Sequence, residues 1–368
     1  MRMSIDIHFH EEDWARIERD WSAWWAGELD RPMVIIEQFD RKRPWDDGLP
    51  PPYRLPLDWP ADKVLDFYEE RLPAVRYFGD AWPKWWPNFG PGIAAGFLGC
   101  RVRPAEDTVW FEPPAASGAE PAAVPNSVPG VDLRLRVNQA NPWWVRIRDL
   151  TRRAIERWAG RVHVAFTDLG GNLDILSSFR TAEQLLFDVI ERPEDVERLV
   201  GKITQCWLKF YDELYALIGP AGRGTTPWAP IWSAQRTYML QCDFSYMISP
   251  AMFERFVLPD LEACCNHLDH AFYHLDGKGQ LPHLDMLLAI PRLRGVQWIP
   301  GSGQPWPDQW PEILGRIRRA GKLCQVFITP EGAMRIVKEH GGKGFALAIG
   351  AGDMTSRQIK DLVKALTE

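Results

Sequence analysis

Phe272-Tyr-His-Leu-Asp-Gly-Lys-Gly279, followed by Leu281-Pro-His-Leu-Asp-Met-Leu-Leu288 and Gly295-Val-Gln-Trp-Ile-Pro-Gly301, reads as strand, turn, short helix, strand. The first apolar run ends abruptly in His274, Asp276 and Gly277, which sets titratable groups at the carboxyl end of a strand. The next run ends on Trp298 before Pro300 and Gly301. Polar residues repeated at strand ends are how parallel α/β enzymes assemble a site.

Outward from this stretch, short apolar runs recur between helical segments: 33–37, 74–79, 162–167, 225–232, 271–275, 295–299, 323–328 and 345–349. Such alternation fits an α/β protein closed as a (β/α)8 TIM barrel, with parallel strands, better than an open sheet. Helix starts are marked by Thr181 with Gln184, by Thr355 with Gln358, and by Ser249-Pro250 and Thr329-Pro330. Trp14, Ile17, Trp21, Trp24 and Trp25 recur at helical spacing, which predicts the buried stripe of an N-terminal helical extension over 1–32, ahead of a barrel over 33–368. Residues 104–148, rich in Pro, Ala, Ser and Gly and ending in the alternating Val131-Asp-Leu-Arg-Leu-Arg-Val137, break the rhythm after the second expected strand. On a barrel this insertion would lie over the catalytic face.

The composition is that of a globular protein, with 46% hydrophobic and 25% charged residues in 368. A formal net charge of −6 argues against a general nucleic-acid binder, which needs a basic face. No apolar run is long enough to span a bilayer, and the start, Met-Arg-Met-Ser-Ile-Asp-Ile-His, has no apolar signal core, so the expectation is a cytoplasmic protein. Six cysteines without a Cys-x-x-Cys pair support neither a zinc ribbon nor a thioredoxin-like motif.

At the expected strand ends an aromatic and acidic set collects. Asp80, Trp85 and Trp86 follow the second run, Asp168, Asn172 and Asp174 the third, Trp228 and Trp232 flank the fourth, and Trp298 closes the sixth. Indole rings in a pocket suit a small molecule with an aromatic or ring face, although tryptophans in long loops also pack on one another. His274 and Asp276, at i and i+2 of a strand, point to one side and suit either a metal pair or an acid and base pair. The expected site therefore joins Asp80, His274 and Asp276 with at least one of Trp85, Trp86, Trp228, Trp232 and Trp298, and with Asn172 and Asp174 as substrate contacts.

Tyr77-Phe-Gly-Asp80, Gly170-Gly-Asn-Leu-Asp-Ile-Leu176, the run Leu185-Leu-Phe-Asp-Val-Ile-Glu-Arg-Pro-Glu-Asp-Val196, His274-Leu-Asp-Gly277 and Gly350-Ala-Gly-Asp353 together resemble the uroporphyrinogen decarboxylase superfamily, which includes the cobamide-dependent methyltransferases. The resemblance implies a (β/α)8 barrel with its site at the strand carboxyl ends. It also shows departures. The decarboxylases carry Arg-Gln-Ala-Gly-Arg after the first strand, where this chain has Phe39-Asp-Arg-Lys-Arg43, and a late histidine near the position of Ala351. Only Asp80 carries over from that branch. The methyltransferases bind zinc through His-x-Cys-Gly and a later cysteine; here His274 is kept, Asp276 replaces the first cysteine, and Ala351 or Gly352 the second. A zinc ion held by His274 and Asp276 would draw its third ligand from Asp80, Asp168 or Glu37, in a set harder than thiolates.

The reading that follows is a methyltransferase or demethylase of the cobamide-dependent type, taking methyl from a small aromatic or amine donor and working with a corrinoid partner protein. A decarboxylase (lyase) acting on another carboxylate is the first alternative, with Asp80 stabilising a developing cation. A sugar-active barrel or a non-catalytic binding barrel is the second.

Overall fold

The computed structural model describes residue 5 and residues 7–39, 50–114, 135–221 and 223–368. Its strands are β1 (Met33–Phe39), β2 (Val75–Gly79), β3 (Lys84–Trp85), β4 (Arg101–Pro104), β5 (Val109–Glu112), β6 (His163–Val164), β7 (Thr237–Gln241), β8 (His270–Asp276), β9 (Leu293–Ile299), β10 (Leu323–Ile328) and β11 (Phe345–Ile349). A seven-stranded sheet runs in the order β2-β1-β11-β10-β9-β8-β7. β3 and β6 form a separate parallel pair, and β4 and β5 an antiparallel hairpin. Every neighbour in the large sheet is parallel except β2, which runs antiparallel to β1 from Ile35 opposite Gly79 to Phe39 opposite Val75.

Alternation along the strands separates two cores. Residues from β1 (Met33, Ile35), β7 (Met239), β8 (Phe272), β10 (Leu323) and β11 (Ala346, Ala348) pack together on the concave side of the sheet. Their neighbours in sequence, such as Val34, Tyr238, Tyr273, Cys324 and Leu347, face the helices that cover the convex side. Parallel strands buried on both faces account for the near-continuous apolar runs of the sequence.

The helix Glu11–Ala26 plugs one end of the concave side with Trp14, Ile17, Trp21, Trp24 and Trp25. Trp24 Nε1 donates to the carbonyl of Phe345 at 3.1 Å, and Trp25 stacks on His270 with centroids 4.2 Å apart. Phe345 and His270 are the first residues of β11 and β8, so the plug sits at the amino ends of the parallel strands. The opposite, carboxyl end is left for a site.

Three expectations are corrected. The run at 74–79 is a strand, but an antiparallel one, so the strands are not all parallel, and the backbone ladders do not by themselves close a ring. The run at 225–232 is not a strand: Pro227 and Pro230 lack the N–H a ladder needs, and only Thr225 pairs, antiparallel, with Ser233. The fourth strand is β7, further along, whose residues are buried throughout. Within 104–148 the chain makes the turn and second strand of the β4–β5 hairpin and then the helix Pro142–Trp158, whose N-cap Asn141 accepts from Trp143 and Trp144. The alternating segment at 131–137 lies mostly outside the described residues, and 135–137 are not in a strand. The helix starts expected at Thr181, Ser249, Thr329 and Thr355 are all present with the hydroxyl capping. No helix of the described residues is long and apolar enough to cross a membrane.

Candidate functional site

His274 and Asp276 lie on the concave face of β8, and Asp243 begins the short turn Asp243–Met247 that follows β7. One ligand atom from each of Asp243, His274 and Asp276 falls within 4.8 Å of the others. His274 Nε2 is 3.8 Å from Asp276 Oδ2. Burial alone would lower the pKa of His274, but the Asp276 and Asp243 carboxylates outweigh it and raise the pKa above the usual imidazole value. Asp243 is itself shifted upward, first by burial, with Asp276 adding to the shift and His274 opposing it.

The other imidazole nitrogen of His274 faces a row of amides. Gln241 on β7, His274 on β8, Gln297 on β9 and Gln325 on β10 are register partners across adjacent strands, so they form one layer of the concave face. His274 Nδ1 is hydrogen-bonded to Gln297 Oε1, and Gln297 Nε2 donates to Gln325 Oε1. Trp228 closes over the imidazole edge to face, with centroids 5.1 Å apart and planes at 82°.

Behind this layer the loop after β6 supports the turn that carries Asp243. Asp174, in the first turn of the helix Asn172–Arg180, accepts the backbone N–H of Asp243 at 2.9 Å and of Phe244 at 2.7 Å. Burial and the charge of Asp243 push the Asp174 pKa up to about 7. Asp168 accepts from the Gly170 N–H at 2.8 Å, and burial pushes it too up to about 7. Gly170 has φ +80, and a Cβ there would stand 2.5 Å from Gly92 Cα, so two loops meet where only glycines fit. A cavity of about 540 Å³ opens beside Asp174, Asp243 and Gln241, roofed by Trp110 and Phe111 of the β4–β5 hairpin and bounded by Met247.

The structure thus joins His274, Asp276 and Trp228, and it sets Asp174 next to them. It does not join Asp80. Because β2 is antiparallel, its carboxyl end lies at the amino end of β1, where the Asp80 carboxylate accepts from the Val34 N–H at 2.8 Å and from Arg31. Trp232 is at that same end, with its carbonyl accepting from Trp25 Nε1 at 2.8 Å. Trp85 is buried between Tyr68 and Trp158, and Trp298 packs against Trp310 in the core under the helices, since it alternates with the inward-facing Gln297. Trp86 is half-buried after β3. Asn172 is buried in the helical layer, donating to Thr204 Oγ1 at 2.9 Å and to Asp260. Of the three candidates for a third ligand, Glu37 pairs with Lys84 and Asp80 with Arg31, while Asp168 is outside the three-residue cluster.

The third member of the cluster is Asp243, which sequence reasoning missed. The signal was available: once Pro227 and Pro230 are allowed to exclude 225–232, the all-buried Thr237-Tyr-Met-Leu-Gln241 becomes the fourth strand, and Asp243 falls at its end as His274 and Asp276 fall at the end of β8.

No family model matches the sequence, and no curated protein is similar to it. Among solved structures, a methyltransferase from Methanosarcina mazei superposes with a TM-score of 0.57 over 95% of this chain and 97% of that one, at 13% identity. At that identity the likeness is one of architecture: the chain is a mixed α/β protein around a parallel sheet, with the fold of that methyltransferase.

Proposed function

We propose that the protein is a methyltransferase that uses a divalent cation, zinc being the best fit, at Asp243, His274 and Asp276. The observation that carries this reading is the convergence of those three ligand atoms at the carboxyl ends of β7 and β8, beside a cavity large enough for a small organic molecule. One imidazole nitrogen and two carboxylate oxygens suit zinc or another first-row divalent ion, and three protein ligands leave a coordination position open. The likeness of fold to a methyltransferase supports the reaction class. The reading also takes the fold to be a (β/α)8 barrel, with the β3–β6 pair, extended by the bonds from Ala165 N to Trp85 O and from Phe166 N to Thr226 O, standing in the gap between β2 and β7.

In this reading the cavity beneath the β4–β5 hairpin receives the methyl donor, a small aromatic ether or amine, with its ring against Trp110 and Phe111. A methyl group leaves its oxygen or nitrogen without the bonding pair, so the leaving atom gains electrons that must be stabilised. A bound cation supplies that stabilisation as a Lewis acid. Asp174 does its part by holding the two backbone N–H groups of the turn that presents Asp243, and Trp228 keeps water from one edge of His274. The acceptor assigned by the sequence resemblance is a reduced corrinoid carried by a partner protein that docks at the strand carboxyl ends.

The decarboxylase alternative loses its main support, because Asp80 faces the opposite end of the sheet. The sugar-active reading relied on stacked tryptophans, of which Trp85, Trp232 and Trp298 are core residues. The test is metal analysis of protein purified without chelator, joined to methyl transfer from candidate ethers and amines to cob(I)alamin. Stoichiometric zinc lost in His274→Ala, with transfer lost in the same variant, supports the reading. Absence of both metal binding and methyl transfer overturns it.

A further inference from the structure

The amides beside His274 form a directed chain, and its direction has a consequence for what the imidazole can bind. His274 Nδ1 meets Gln297 Oε1, and Gln297 Nε2 meets Gln325 Oε1. A carbonyl oxygen only accepts, so Nδ1 must carry the proton, and in the neutral ring Nε2 is then a bare lone pair. That lone pair is on the side of Asp276 and Asp243, two groups that are acceptors when ionised. Three acceptors turned toward one point repel each other unless a proton or a metal cation lies between them.

Burial fixes the chain. Gln297 and Gln325 are both fully buried, at 0% exposure, and they sit in register with His274 on β9 and β10 rather than on loops. Turning the Gln297 amide alone would set its oxygen against the Gln325 oxygen, so the orientation of one amide is tied to that of the other.

We propose that Gln297 is a positioning residue that holds His274 as the Nδ1–H tautomer, with Gln325 locking its amide, so that Nε2 is ready to ligate the cation. This rests on the metal reading above only for its purpose; the tautomer itself is a property of the metal-free protein. Outer partners of this kind orient metal-binding imidazoles and raise their basicity.

The test is ¹⁵N-histidine NMR of the metal-free full chain, with the pH raised until the His274 ring is seen to be neutral, since the neighbouring carboxylates raise its pKa, and with the His274 signals assigned by their loss in His274→Gln. Zinc affinity is measured in parallel by competition with a chelator. The wild type should show the Nδ1–H tautomer. Gln297→Leu should move His274 toward Nε2–H and weaken zinc by about 10- to 100-fold. Gln297→Glu, whose carboxylate can only accept, should restore both, and Gln325→Leu should give a smaller shift in the same direction if removal of the lock frees the Gln297 amide. A wild-type Nε2–H tautomer, or an unchanged tautomer in Gln297→Leu, overturns the proposal. Should Gln297→Leu fail to fold, loss of the Nδ1–H tautomer in Gln297→Glu does so instead. If the tautomers behave as stated but no variant binds zinc, the metal reading fails and the positioning role stands.

Discussion

Arg31 grips Asp80 with two nitrogens, Nη1 2.7 Å from Oδ2 and Nη2 2.9 Å from Oδ1, and the same guanidinium reaches Asp20 on the N-terminal helix at 2.9 Å. Asp80 is buried at the amino ends of the strands, so the pair pins the tryptophan plug to the first strand. The residue that most resembles a family site aspartate is here part of a structural latch.

The first prediction follows from that placement. Asp80→Asn keeps the size of the side chain but leaves Arg31 without a full counter-charge in a buried setting, which should cost about 3 kcal/mol of stability. Zinc stoichiometry should stay at the wild-type value in the folded protein. Chemical denaturation read alongside metal analysis checks this, and loss of zinc from a folded Asp80→Asn protein would return Asp80 to the site.

Asp243 and Asp276 should be equivalent as ligands. Asp243→Asn and Asp276→Asn each remove a charged oxygen from the three-residue cluster, and each should weaken zinc by more than the roughly 10- to 100-fold expected for an outer partner. Thermal unfolding of the metal-free variants should change little, because the Asp243 and Asp276 carboxylates face one another in the cluster and neither residue belongs to the apolar cores. Wild-type zinc affinity and turnover in Asp276→Asn would rule out both a metal role and an acid role for that residue.

What the sequence disclosed and what it hid can be traced to particular residues. β8 to β11 were legible because each is an apolar run cut off by Gly, Pro or a capping hydroxyl, and both faces of a parallel sheet are buried. The direction of β2 was hidden, since an apolar run looks the same whichever way it is paired, and with the direction went the location of Asp80. The helix Pro142–Trp158 starts at Asn141-Pro142, inside the 104–148 stretch whose composition reads as loop, and runs beyond it. Asp174 was expected as a substrate contact, and what the structure shows it doing is holding the Asp243 turn, a contact that joins residues far apart in the chain. Gly170 approaches Gly92 so closely that a Cβ would not fit, a contact between loops that no local pattern names.

Trp110 offers a separate handle on the cavity. Its ring is 53% exposed on the β4–β5 hairpin and lines the chamber, so little core packing depends on it. Trp110→Ala should raise KM for an aromatic methyl donor by about tenfold, the loss of roughly 1.4 kcal/mol of ring contact, with kcat, zinc content and melting temperature near wild type. An unchanged KM would remove the hairpin from the substrate site.

Asp260 sets a pH dependence that is independent of the site chemistry. Its carboxyl is buried between helices, accepting from Thr204 Oγ1 at 2.6 Å and from Asn172, and burial pushes its pKa from 3.8 up to about 6. An acid with a raised folded pKa binds its proton more tightly when folded, so its contribution to stability is complete below pH 3.8, fades as pH rises toward about 6, and is absent above that. The loss across this window is on the order of 3 kcal/mol, because each tenfold gain in proton affinity on folding is worth about 1.4 kcal/mol. Asp260→Asn has no charge to desolvate and should lack this component. The difference in unfolding free energy, variant minus wild type, should therefore grow in the variant's favour between about pH 4 and pH 6 and be flat from there to pH 8. Urea melts at half-unit pH intervals read the difference directly. A difference that does not change with pH would mean that the Asp260 carboxyl ionises in the folded protein as it does in the unfolded chain.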